Sequence, residues 1–242
     1  MINRLKALST LLDYLVNREA TTGRCVTCLS KQALQGLCPP CRADLPHNRL
    51  RCETCALPLP FDGPVKHCGE CLTQPPPFTR SLIPWRYQFP VDSMIGRYKY
   101  LGQRKFARPL LADFSDYLEN TLADSELPEL LIPAPMHWQR RWRRGFNQSQ
   151  DIAEYLGQRL GVPVGSRAVQ RKRNVRAQRG LNREARLSNL RLVFEVCEPI
   201  PERVAIIDDV VTTGATTRAL AKALSEAGAR DIQIWALART PG

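Results

Sequence analysis

Apolar residues recur at Leu5, Leu8, Leu11, Leu12, Leu15 and Val16, the three- and four-residue steps that line one face of a helix. The spacing predicts a short amphipathic helix within residues 1–21. A different pattern begins after residue 77. Strand-like runs at Ser81–Arg86, Leu130–Ala134, Leu192–Val196, Val204–Ile207 and Asp231–Ala238 alternate with helix-like runs at Phe106–Leu122, Gln148–Leu160 and Thr216–Ala227. Such alternation predicts an α/β fold, a mainly parallel sheet with helices on both faces. Residues 22–76 show neither period and run into Gln74-Pro75-Pro76-Pro77, a stiff stretch that reads as a boundary. The expected organisation is a helix at 1–21, a small module at 22–76 and an α/β domain at 77–242.

The small module carries the first piece of chemistry. Eight of the nine cysteines fall in C-x-x-C pairs: Cys25 and Cys28, Cys38 and Cys41, Cys52 and Cys55, Cys68 and Cys71. A C-x-x-C turn aims two thiolates at one ion, and tetrahedral Zn2+ takes two such turns. Four pairs therefore make two structural zinc sites. Three pairings are open, and the sequential one is favoured because each quartet then closes a short loop. His67 abuts Cys68, but four thiolates already fill that site. Cys197, after the apolar run ending at Val196, reads as a small buried hydrophobe.

Disulfides are the alternative for so many cysteines, and export would be needed for them. The most apolar N-terminal stretch, Ile2 to Val16, is broken by Arg4, Lys6 and Asp13. It lacks both the apolar run of about 20 residues that spanning needs and a signal-peptide pattern. A cytoplasmic protein with reduced thiols and no membrane span is expected.

Lys and Arg number 35 against 23 Asp and Glu, a formal charge of +12 that favours a polyanionic partner. The excess is clustered. Arg140, Arg141, Arg143 and Arg144 form one group, and Arg171, Arg173 and Arg176 lie in a second that continues to Arg191. One pyrophosphate needs only about two or three cations, so the surplus points to a longer polyanion such as single-stranded DNA. Aromatic residues near arginines, Trp138 and Trp142 among them, suit base stacking.

The most informative stretch is Arg203–Thr217, RVAIIDDVVTTGATT. An apolar strand, Val204–Ile207, leads to paired carboxylates, Asp208 and Asp209, and then to a Thr- and Gly-rich loop entering a helix. That is where α/β sheets bind ligands. Amides of Thr213, Gly214, Ala215 and Thr216 at a helix N-terminus make an anion site, with threonine hydroxyls as further donors. Carboxylates beside it suit a phosphate that also carries hydroxyls or a metal, as a ribose phosphate does. There is neither a Walker A lysine nor a G-x-G-x-x-G fingerprint.

This stretch resembles the phosphoribosyl pyrophosphate (PRPP) motif of type I phosphoribosyltransferases. Ile132–Gln150, the Asn174–Phe194 region with Gln178, Leu181, Arg186 and Asn189, the cysteine module and Tyr98-Lys99 are similar to the ComF family, including its GntX-type DNA-utilisation members. The resemblance implies a phosphoribosyltransferase domain behind an N-terminal double zinc ribbon. It implies that Asp208 and Asp209 hold ribose hydroxyls and that Thr212, Thr213, Gly214, Ala215, Thr216 and Thr217 wrap the 5′-phosphate. Arg140, Arg141, Arg143 and Arg144 would meet pyrophosphate, with Mg2+ accompanying PRPP and Lys99 assisting. The basic stretch Arg171–Arg186 sits where a hood closes. Purine salvage enzymes carry an acid where this chain has Thr212, which makes direct purine salvage a poor reading. Two functions follow: DNA uptake or utilisation with single-strand binding, or an active PRPP-dependent transferase of unknown acceptor. The ribbons can serve DNA, a helicase-like partner of DNA uptake, or the neighbouring domain.

Overall fold

A computed structural model describes residues 23–60, 62–64, 66–136, 145–171 and 193–241. The expected helix within 1–21 lies outside them. The chain divides into two compact units, Met1–Pro46 with Gln88–Asp113, and His47–Tyr87 with Phe114–Gly242. This division runs between the two cysteine quartets, which the sequence reading grouped in one module. Among the described residues no helix is long and apolar enough to cross a membrane.

In the first unit the turn at Cys25 is closed by the Cys25 N–H donating to Ser30 O at 2.8 Å, and an isolated bridge pairs Leu34 with Leu37. Cys38 caps a short helix, α1 (Pro39–Ala43), whose prolines lose no bonds because first-turn amides have no helical acceptor. Arg42 then ties the knuckle down through Asp113 and through Leu34 O at 2.8 Å. Helix α3, preceded in the chain by α2 of the second unit (Gly69–Thr73), spans Val91–Leu101 and buries Val91, Met94, Ile95 and Tyr98. Gly102, at φ 63°, ends it, and α4 (Arg104–Thr121) starts two residues later. Gly36, at φ 94°, is needed for conformation; a Cβ there would make an ordinary contact, 3.5 Å, with the ring of Pro109 in α4.

The second unit is built on a parallel sheet. Its strands are β1 (Arg80–Leu82), β2 (Trp85–Arg86), β3 (Leu130–Pro133), β6 (Arg203–Val211) and β7 (Asp231–Arg239), in the order β1-β7-β6-β3 with β2 also on β7. Register places Ile132, Ile206 and Ile234 in one row and Leu131, Ala205 and Gln233 in the next. Neighbouring rows face opposite sides. The first faces α6 (Ala215–Glu226), whose Leu220, Ala221 and Leu224 share its buried cluster. The second faces α5 (Gln148–Leu160), where a Cβ on Gly157 would lie 3.8 Å from Leu131 Cδ1. Helices thus cover both faces, as expected. Each fully buried Ile or Leu contributes about 1.5–3 kcal/mol. Gln233 is satisfied within the core, donating to Glu126 O at 2.9 Å and accepting from Trp235 Nε1 at 3.0 Å.

Two features were not anticipated. A separate antiparallel pair, β4 (Val169–Arg171) with β5 (Phe194–Val196), flanks residues 172–192, which lie outside the described residues. The sulfurs of Cys52, Cys55, Cys68 and Cys71 belong to the same buried cluster as Ile206, Ile234 and Leu224. The second quartet is a piece of the sheet's core.

Candidate phosphate cradle and cysteine metal centres

Strand β6 does not stop at Ile207. Asp208, Val210 and Val211 stay in register with Ala236, Ala238 and Arg239 of β7, so the two acids sit inside the strand's last stretch. Asp209 is 8% exposed and accepts the Val210 N–H at 2.6 Å, while Asp208 is half-buried and accepts the Asp209 N–H at 2.8 Å. Each carboxylate is thus held by the backbone N–H of the residue that follows it.

Beyond Val211 the chain leaves the sheet through Thr212 and Thr213 and turns at Gly214, φ 74°, into α6. That left-handed conformation costs a residue with a Cβ about 1–2 kcal/mol. The loop braces itself: Thr217 Oγ1 donates to Gly214 O at 2.8 Å, and the Ala215 N–H reaches Thr213 Oγ1 at 3.4 Å. Thr212, Thr213, Ala215 and Thr216 are exposed, and no acidic residue lies in the first turn of α6. The amides that open α6 beyond Ala215 point toward this exposed loop and suit an anion.

A second helix start converges on the acids. Asn147 caps α5, accepting the Ser149 N–H at 3.2 Å and donating to Ala134 O at 3.3 Å beyond β3. Ser149 Oγ donates to Asp208 Oδ1 at 3.2 Å. Sequence reasoning missed Ser149; its cap spacing is visible at Asn147, but its partner lies 59 residues away. Arg140, Arg141, Arg143, Arg144, Arg173 and Arg176 lie outside the described residues. Arg171 ends β4 with its guanidinium 6.0 Å over the Phe194 ring. Lys99 is on α3 in the first unit, and the acids and cradle are in the second.

Cys25, Cys28, Cys38 and Cys41 form one cluster and Cys52, Cys55, Cys68 and Cys71 the other, with ligand atoms within 4.8 Å of one another in each. The sequential pairing is the one realised. Cys28 and Cys38 sulfurs are 3.6 Å apart, as are those of Cys55 and Cys68. Tetrahedral Zn–S bonds of about 2.3 Å put sulfurs about 3.8 Å apart, so both quartets fit zinc. No disulfide links them. His67 bonds Thr54 Oγ1 at 3.1 Å and joins neither cluster. Cys197 is exposed, contrary to the buried position expected for it.

Protons are unevenly shared within each quartet. The hydrogen bond from Cys55 holds Cys52 down at about 3 despite burial, and the same bond, with burial, pushes Cys55 up. Cys25 sits at about 6, where amides of Cys28, Cys38 and Thr27 outweigh burial; Cys41 is pushed up by burial and by neighbouring sulfurs. A dication held by Cys25, Cys28, Cys38 and Cys41, or by Cys52, Cys55, Cys68 and Cys71, would require all four as thiolates.

The first unit also holds a pocket of about 480 Å³ with Arg24, Arg97 and Lys105 among its lining residues and no carboxylate. Arg97 and Lys105 lie 5.0 and 5.5 Å from the centroid of Phe106, which lines it too.

These features define an α/β protein with paired carboxylates before a helix-start loop and two four-cysteine clusters that fit zinc. No family model matches the chain. It is 34% identical over 226 residues to competence protein F of Haemophilus influenzae, covering 89% of this chain and 96% of that one. It is equally 34% identical over 226 residues to the DNA utilization protein YhgH of Escherichia coli K12, covering 90% and 97%. Competence protein ComFC of Streptococcus pneumoniae is 29% identical over 154 residues, 63% of this chain and 65% of that one. Among solved structures, an orotate phosphoribosyltransferase from Aeropyrum pernix matches with a TM-score of 0.35 and 21% identity, over 56% of this chain and 61% of that one. The chain belongs to the ComF family of competence and DNA-utilisation proteins.

Proposed function

We propose that the protein acts in DNA uptake or utilisation, holding PRPP or a nucleotide with Mg2+ at Asp208, Asp209 and Thr212–Thr217 and binding single-stranded DNA through basic surfaces. One observation carries the ligand reading: two carboxylates braced by amides and Ser149 stand directly before an acid-free helix start whose loop turns through Gly214. The amides suit a 5′-phosphate, and the acids suit ribose hydroxyls and the metal. Arg140, Arg141, Arg143 and Arg144 complete the reading as the pyrophosphate side.

The DNA reading is supported by the names of the relatives and by the charge of +12. Arg171, Arg173 and Arg176 are its proposed contacts, and the acid-free pocket of the first unit adds cations beside aromatic faces. A helicase-like protein of DNA uptake is the proposed protein partner. The test is anisotropy of a labelled oligonucleotide across salt concentrations, where log K falls by about 0.7 per phosphate contact per log unit of salt. Replacing the three arginines together flattens the slope by about two units. An unchanged slope refutes their role.

The intact acid pair and loop favour a second reading, an active transferase releasing pyrophosphate from PRPP. Pyrophosphate release across a panel of acceptors separates the two.

A further inference from the structure

Arg239 ends β7 and is 5% exposed, yet no carboxylate pairs with it among the described residues. A buried guanidinium must find acceptors for its donors. Here they are backbone carbonyls. Nε donates to Cys55 O at 3.3 Å, and Nη1 donates to Val211 O and Thr240 O, each at 3.2 Å, and to Thr212 O. One side chain therefore joins a metal-binding turn of the second quartet to the first residue of the cradle loop.

The other end of the loop is held in the same way. Arg218 lies in the first turn of α6, and its Nη2 is 3.2 Å from Glu70 Oε1 and 3.9 Å from Cys71 Sγ. Its Nη1 donates to Gln74 O at 3.1 Å. Glu70 and Cys71 belong to α2, the short helix of the same quartet. Between these anchors the loop is mostly exposed and, among the described residues, is braced by two internal side-chain bonds. Four clustered sulfurs hold one geometry when they share an ion, so the anchors' far ends are set by metal binding.

We propose that the second quartet, with its metal bound, is a positioning element for the cradle, and that Arg239 and Arg218 couple the two. Loss of that metal loosens residues 212–218 while the sheet persists. Coupling is reciprocal in affinity, so a ligand in the cradle tightens metal binding at the second quartet. The first quartet, in the other unit, is the internal control. The inference rests on the reading of 212–217 as an anion cradle, but its primary test does not need a ligand.

That test is hydrogen exchange, read by mass spectrometry over peptides spanning 211–218, in zinc-loaded wild type and in Arg218→Met. The Arg218 side chain is partly exposed, so this variant keeps the fold, which protection of β6 and β7 verifies. The expected result is exchange at least about fivefold faster in 212–218, the low end of typical coupling. Equal exchange overturns the proposal. A second measurement titrates zinc against a chromophoric chelator at equilibrium, with and without PRPP and Mg2+. One of the two ions should be held about fivefold or more tightly when PRPP is bound, and Arg218→Met should abolish the difference. Calorimetry on the same wild-type sample judges the ligand reading separately: no PRPP binding removes the proposed function, and the exchange result still decides the coupling. Arg239→Lys extends the test, because a lysine lacks the fork that reaches Cys55 and Thr212 together.

Discussion

The two cysteine quartets have the same ligands and the same spacing within pairs, but they serve different structures. In the first, Cys28 is exposed and Cys41 half-buried, and the knuckle is fastened by the Arg42–Asp113 ion pair inside its own unit. In the second all four cysteines are buried and share the sheet's apolar cluster. Ligand chemistry alone decides that a metal binds. What the metal stabilises is decided by the residues around it, here Arg218 and Arg239, whose knuckle partners lie 147 and 184 residues away.

The sharpest way to break this comparison is to remove one ligand from each quartet. Cys55→Ser should lose one zinc and lower the sheet unit's melting while its sheet still forms, since metal binding and local folding are coupled in such modules. Cys28→Ser should lose one zinc and leave the sheet unit's melting unchanged. Elemental analysis beside thermal denaturation checks both, and equal melting of the two variants would mean that the quartets do the same work.

A smaller effect comes from the acids. Replacing Asp208 and Asp209 together by Ala should weaken PRPP binding by about 3 kcal/mol, the scale of losing charge-assisted hydrogen bonds. Calorimetry should place Cys28→Ser beside wild type and the double variant far from it.

Gly157→Ala tests packing in the second unit alone. Its Cβ would stand 2.7 Å from Val162 O and 2.8 Å from Val164 Cγ2. Overpacking of this kind costs about 1–3 kcal/mol, partly offset by the gain of about 1 kcal/mol in helix propensity. Denaturant melting should fall modestly, with two zinc ions retained.

The smallest effect is electrostatic. The Ala123 N–H and then Arg80, 2.9 Å away, hold the Glu126 carboxyl below its ordinary value. A depressed carboxyl adds stability above the usual carboxylate range and loses it as pH falls through the lowered value. Glu126→Gln should therefore slightly flatten the acid side of the sheet unit's pH–melting curve.

Much of this architecture is local enough to read from the chain. The helix expected over Gln148–Leu160 has those bounds, and the quartets pair as favoured, because periodicity and short loop closure act over few residues. Helix α3 went unread although Val91, Met94, Ile95 and Tyr98 keep the three- and four-residue steps of a helix, a face only two turns long. The length of β6 was also misjudged: acids look like the end of a strand, but pairing with β7 carries the ladder on to Val211. Ser149, Arg218 and Arg239 were illegible as site residues because each acts on a partner brought near only by the fold.

The position of β7 has a consequence for how the protein is made. It pairs with β1, β2 and β6, yet it follows all of them in the chain, and Thr79 bonds to Ile232 across 153 residues. On the ribosome β1 and β2 emerge long before the strand that receives them, so their edges wait unpaired. Contacts this distant slow folding and leave strand edges open to aggregation. Nascent chains of this protein should therefore be clients of chaperones until β7 has cleared the exit tunnel, and the sheet should close in one late step.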